Sequence, residues 1–188
     1  MEIKERVFHA LQELARTRGL AAVTVDELAQ ASGVSKRTIY RHFPGKEQII
    51  EEMVGRMLHH LRAHKERILD GPERPLEKLR LLVAGIYEVA KFLDSPALAD
   101  IPKHYPELFR KIDAFRSAQI MTLEGLFAEG TACGDFRPVD PAVAATALLG
   151  LARAIVNPEF ILNHSLSAGE AFQMVFDLFL HGIAAPPG

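Results

Sequence analysis

Apolar side chains return at intervals of three and four along almost the whole chain. Ile3, Val7, Leu11 and Leu14 form one such series, and Ile49, Ile50, Met53, Val54, Met57, Leu58 and Leu61 form a second. Val143, Ala147, Leu148, Leu151 and Ile155 make a third, followed by Phe172, Val175, Phe176, Phe179 and Ile183. This spacing places each series on one side of a helix, and no stretch shows the period of two that a half-buried strand requires. Thr24-Val25-Asp26-Glu27 and Ser167-Ala168-Gly169-Glu170 fit the capping box, in which a hydroxyl and a carboxylate each engage an orphan backbone N–H. Ser95-Pro96 and Asp140-Pro141 put a capping side chain before a proline at the first helical position, where the missing N–H costs nothing. The pattern predicts an all-α chain of about nine helices, over 3–18, 25–32, 36–42, 46–69, 75–93, 96–104, 106–131, 141–156 and 168–184.

The second and third of these helices are short and separated by Ser32-Gly33, the arrangement of a helix-turn-helix. Val34 is placed to plug the corner and Ser35 to cap the next helix. At 100° per residue Lys36, Arg37, Tyr40 and Arg41 share one arc of that helix, while Ile39 and Phe43 lie together on another. One side reaches out and the other packs. In such motifs the second helix enters the major groove, with residues near its start on base edges and its flanks on phosphate. Arg37 is long enough to fork onto a guanine, Lys36 and Thr38 can read bases or hold phosphate, and Tyr40 offers a hydroxyl to the backbone. Lys46 starts the following long helix, where free N–H groups already favour a phosphate.

Charge sharpens this picture only through its distribution. The 188 residues carry a formal charge of −2, but residues 1–46 hold eight cations against five anions, leaving +3 there and −5 in the remainder. Cys133 has no partner for a disulfide. The absence of a long apolar run or a secretory leader points to a cytoplasmic protein without a membrane span.

The run TVDELAQASGVSKRTIYRHFPGKEQII, with an amphipathic helix before it and a long helix after it, resembles the DNA-binding head of TetR-type transcriptional repressors over about residues 3–56. The resemblance implies that Thr24 caps the second helix. It also implies that Ser35, Lys36, Arg37, Thr38, Tyr40, Arg41 and His42 face or flank DNA, that Phe43 anchors the aromatic core, and that Lys46 contacts phosphate. Many relatives carry a small residue at the position of Arg37, so the operator is not transferable from them.

Further implications concern the remainder of the chain. Residues 1–46 are expected to form a three-helix DNA-binding head, joined by the long helix 46–69 to a ligand-binding and dimerisation module over 47–188. Helices near 75–131 are expected to surround an effector pocket, with Tyr87, Phe92, Phe109, Phe115, Arg116 and Gln119 as its candidate lining. The last two helices are expected to pair across a two-fold axis through Leu148, Leu151, Phe172, Phe176 and Phe179. The resulting expectation is a homodimer that binds double-stranded operator DNA, most simply a repressor released by a small, apolar effector of unknown identity. No cofactor or metal is expected; His60 and His64 have i, i+4 spacing, but no further ligands complete a site. Two alternatives stay open: a helical adaptor whose basic face binds an acidic protein, and a small all-α enzyme, although the common catalytic motifs are missing.

Overall fold

The capping chemistry of the first quarter folds as its sequence dictates. In the computed structural model, which describes residues 2–90, 95–164 and 166–184, α1 (Ile3–Arg18), α2 (Val25–Ser32), α3 (Lys36–His42) and the 24-residue α4 (Lys46–Leu69) occupy the predicted spans. Both predicted capping boxes are complete, Thr24 with Glu27 on α2 and Ser167 with Glu170 on the last helix, and Asp140 caps the helix that begins with Pro141.

The remaining helices among the described residues are α5 (Pro75–Ala90), α6 (Ser95–His104), α7 (Pro106–Ser117), α8 (Ile120–Ala132), α9 (Pro141–Ile155), α10 (Pro158–His164) and α11 (Ala168–Ile183). Eleven helices therefore stand where about nine were expected. The predicted helix 106–131 breaks at Ala118-Gln119 into α7 and α8, and α10 is additional to the predicted set. Asn157 starts α10 by accepting the Phe160 N–H at 2.9 Å, so Asn157-Pro158 is a cap-and-proline signal of the kind that marked other starts. Among the described residues no helix is long and apolar enough to cross a membrane.

Two main cores result. One joins Leu11, Leu28, Ile39, Phe43 and Ile49 of the first four helices and their connections to Ala97 and Ile101 of α6 and Leu108 of α7. The other joins Leu79 of α5, Phe127 of α8, Leu148 of α9 and Phe172 and Phe176 of α11. Helices α6 and α7 thus pack on the head although they follow α5 in the chain, and this arrangement positions both the basic helix and the cavity behind it.

Candidate nucleic-acid interface and adjoining cavity

The turn between α2 and α3 is locked from three directions. Gly33 has φ 62°, a left-handed conformation that a β-carbon disfavours. Arg6 of α1 reaches across to donate from Nε to Ser32 O at 3.0 Å and from Nη2 to Gly33 O at 2.9 Å. The buried Ser32 hydroxyl donates to Leu28 O and accepts the Val34 N–H, leaving Val34 plugged into the corner. At the start of α3 the Ser35 hydroxyl accepts the Thr38 N–H at 3.1 Å. Ile39 and Phe43 seat the inner side of the helix, with the Phe43 ring 5.7 Å from that of Phe8 and the Lys4 ammonium 5.2 Å from its centroid. The recognition helix is consequently a rigid attachment, despite its seven residues.

Its outer side is polar and accessible. Arg37 and Arg41 are exposed, with no intramolecular partner among the described residues, and Tyr40 is half in solvent. His42 is exposed with its ring against Phe43, and the Thr38 hydroxyl lies 2.8 Å from that of Ser35. Lys36 is committed to Asp26 at 2.7 Å, a hydrogen bond and charge pair that make its ammonium harder to deprotonate than usual. Thr24 sits exposed at the cap of α2 and gives both its N–H and its hydroxyl to Glu27. Those two bonds, with Arg18 at 2.7 Å, bring the Glu27 carboxyl down to about 2. Ser35, Lys36, Arg37, Thr38, Tyr40, Arg41 and His42 therefore gather on or beside one short helix, flanked by Thr24 at the start of α2 and Lys46 at the start of α4.

Lys46 has a second engagement. Its ammonium donates to Leu20 O at 3.2 Å and to Ala21 O at 2.7 Å, bracing the α1–α2 connection against α4. From the opposite direction Asp100 of α6 accepts the Ala21 N–H at 2.7 Å. Gly19, at φ 83°, permits this approach, because a β-carbon there would collide with the Asp100 carboxylate. One connection of the head is thus held by both α4 and α6. Sequence reasoning does not find Arg6 and Asp100, since nothing local marks a side chain whose partner lies 26 or 79 residues away.

Behind this junction is a cavity of two adjoining lobes, about 90 Å³ and about 150 Å³. Leu61 of α4, Ile86 of α5, Phe115 of α7, Leu149 and Ala152 of α9 and Phe172 of α11 line both. Of the expected lining residues, Phe115 and Gln119 line both lobes and Arg116 lines the larger. Tyr87 instead packs beside Gly169 at the margin of the second core, Phe109 is turned outward, and Phe92 lies outside the described residues.

Most of the residues expected on the dimer face are covered within the chain itself. Leu148, Phe172 and Phe176 are buried within the chain, and Phe179 packs half-buried on Phe127 at 5.7 Å. These side chains close the gap between α8, α9 and α11. Leu151 alone of the five is exposed, together with Val143 further back on α9 and Met174 and Leu178 on α11.

A short basic helix on a clamped glycine turn, mounted on a three-helix head, defines the class as a helix-turn-helix DNA-binding protein. The family model described as bacterial regulatory proteins, tetR family, matches residues 7–53. The crystal structure of the TetR family transcriptional regulator PfmR from Thermus thermophilus is 30% identical, spans 94% of this chain and 97% of that one, and superposes with a TM-score of 0.65. The HTH-type transcriptional repressor KstR2 of Mycolicibacterium smegmatis is 31% identical over 130 residues, 64% of this chain and 61% of that protein. AibR, solved in complex with isovaleryl coenzyme A and operator DNA, shares the fold at 24% identity, with 95% and 99% of the two chains covered and a TM-score of 0.61. The chain belongs to the TetR family of DNA-binding transcriptional regulators, and it is not an enzyme.

Proposed function

We propose that this regulator is a homodimeric repressor that leaves its operator when a small, largely apolar molecule occupies the two-lobed cavity. Residues 1–46 serve as the DNA-reading head and residues 47–188 as the effector and dimer module. The observation that carries the reading is the position of the cavity. Its larger lobe is lined by Val54, Met57 and Leu58 of α4, the same helix whose first residue braces the head. An apolar occupant that fits best when α4 is displaced would convert its differential affinity into lost DNA affinity, which is the only way a ligand can shift such an equilibrium.

On the DNA side, Arg37 and Arg41 are exposed and, among the described residues, uncommitted, so they are able to engage base edges and phosphate, with Tyr40 beside them. Lys36 has to leave Asp26, or share it, to do the same. A two-fold partner docked on Val143, Leu151, Met174 and Leu178 would present two such helices to a symmetric site. The test is enrichment of genomic fragments on the purified protein, followed by sequencing. A recurring, two-fold symmetric motif is expected; fragments without any shared motif would overturn the operator-binding reading. AibR, solved in complex with isovaleryl coenzyme A and operator DNA, supports a small-molecule site and a DNA site on one chain of this fold, while the ligand of this chain has to be read from its own cavity.

A further inference from the structure

The larger lobe is apolar except at one end. Its polar lining side chains are Arg116, Gln119 and Arg153, and no carboxylate is among its lining residues. Arg153 is already engaged: Nη2 donates to the Ser117 hydroxyl at 2.6 Å and pairs with Asp113 at 3.2 Å. Gln119 donates one amide N–H to Phe115 O at 2.6 Å and has its side-chain carbonyl as an acceptor. Arg116 is half-buried and, among the described residues, has neither a hydrogen-bond acceptor nor a carboxylate within ion-pair distance. A guanidinium carries five N–H donors, and removing them from water without a partner is costly. Burial and the neighbouring Arg153 both pull the Arg116 guanidinium below its ordinary basicity, and Asp113 opposes them only in part.

We infer that Arg116 is the receptor for an anionic head group on the effector, whose apolar body extends over Phe115, Leu149 and Phe172 into the second lobe. This rests on the effector-cavity reading above and specifies its ligand class as an amphipathic anion. Size supports an apolar body of modest bulk, because an apolar cavity of about 150 Å³ takes up a molecule such as benzene. The second lobe supplies room for extension along Leu79, Val83 and Leu148. A guanidinium is suited to a carboxylate or a phosphate alike, since its planar donors match either in a bidentate fashion. A carboxylate and a phosphate carried directly on the same alkyl chain are accordingly two sources of one chemistry.

The experiment is isothermal titration of the full-length protein, wild type and Arg116→Met, with octanol, octanoate and octyl phosphate. Methionine keeps an unbranched apolar side chain on the helix while removing the charge. The wild type should bind octanoate or octyl phosphate more tightly than octanol by about 10- to 100-fold, the usual worth of a hydrogen bond to a charged group. Arg116→Met should lose that preference and retain octanol. Preference confined to octyl phosphate, and lost in the variant, would support the anion site with phosphate as its partner. Equal binding of octanol and the anions in the wild type, or a preference unchanged in Arg116→Met, would overturn the assignment of Arg116 while leaving the apolar cavity intact. If none of the three binds either protein, the inference and the effector-cavity reading fail together.

Discussion

The carboxylate of Asp100 and the backbone N–H of Ala21 meet at 2.7 Å, although 79 residues separate them. On the same residue the carbonyl of Ala21 accepts the ammonium of Lys46, also at 2.7 Å. A single peptide segment of the DNA-binding head is therefore tied to α6 on one side and to the first residue of α4 on the other. Both helices run back to the part of the chain that contains the cavity, α4 directly and α6 through α7. Under the proposed coupling, movement of either helix would reach the head through this residue.

Removing the Asp100 carboxylate should loosen that connection. Asp100→Ala leaves the Ala21 N–H without its acceptor, and an unsatisfied, partly buried donor costs about 1–3 kcal/mol. Thermal unfolding should show a lower midpoint. Operator binding without effector should persist, because Arg6, Val34 and Phe43 still hold α3 in place. A variant as stable as the wild type would mean that the bond contributes nothing to the head.

Arg37 and Lys46 should fail in different ways. Arg37→Ala removes an exposed guanidinium with no partner among the described residues, so stability should hold while binding weakens by about 1–3 kcal/mol and preference relaxes at one position per half-site. Lys46→Ala removes a brace as well as a cation. Its two acceptors are neutral carbonyls, so the ammonium keeps its full charge and one N–H for a phosphate. Stability should fall, and the log–log salt slope of binding should drop by about one for each phosphate left without its lysine. A salt titration alongside thermal unfolding checks both outcomes; an unchanged slope would confine Lys46 to bracing.

The exposed apolar positions on α9 and α11 make the proposed dimer testable without unfolding the protein. Leu178 is 76% exposed, so Leu178→Glu with Leu151→Glu should yield a folded monomer by light scattering, with helical circular dichroism preserved. Phe176 is 4% exposed inside the second core, so Phe176→Glu should instead unfold the module, because a lone buried carboxylate is costly. Retention of the dimer in the double variant would move the interface elsewhere.

Acid should weaken the head through Glu27. Its carboxyl is lowered from 4.5 to about 2 by the Thr24 bonds and Arg18, so the folded state favours the ionised form. The stabilisation is fully present above pH 4.5 and is lost as pH falls towards 2. Glu27→Gln should be less stable than the wild type near neutrality, and the difference should shrink across that window. Unfolding curves collected from about pH 6 to about pH 2, in steps of about half a unit, give the comparison.

How much of the molecule is legible in its sequence follows the range of each interaction. Thr24 with Glu27 and Ser167 with Glu170 act over three residues, so the starts of α2 and α11 are readable. The outward arc of Arg37, Tyr40 and Arg41 follows from helical geometry alone. The break at Ala118-Gln119 escapes because it has neither glycine, proline nor a side-chain cap, and apolar residues continue on both sides of it. On α11 apolar side chains occupy opposed sides, Phe172 and Phe176 inward and Met174 and Leu178 outward, and periodicity does not say which side meets its own chain. The cavity draws on α4, α5, α7, α9 and α11 at once. Phe115, Arg116 and Gln119 stand out locally as an aromatic beside polar groups, but nothing local brings Ile86, Leu149 and Phe172 to them.

The central claim, that cavity and operator site oppose one another, is tested most directly by titrating octanoate into the full-length protein with and without a saturating operator fragment. Coupling of about 1–3 kcal/mol corresponds to roughly a 5- to 150-fold loss of octanoate affinity on DNA, matched by an equal loss of operator affinity on octanoate. Asp100→Ala should shrink both losses together. The same octanoate affinity with and without operator would contradict the account.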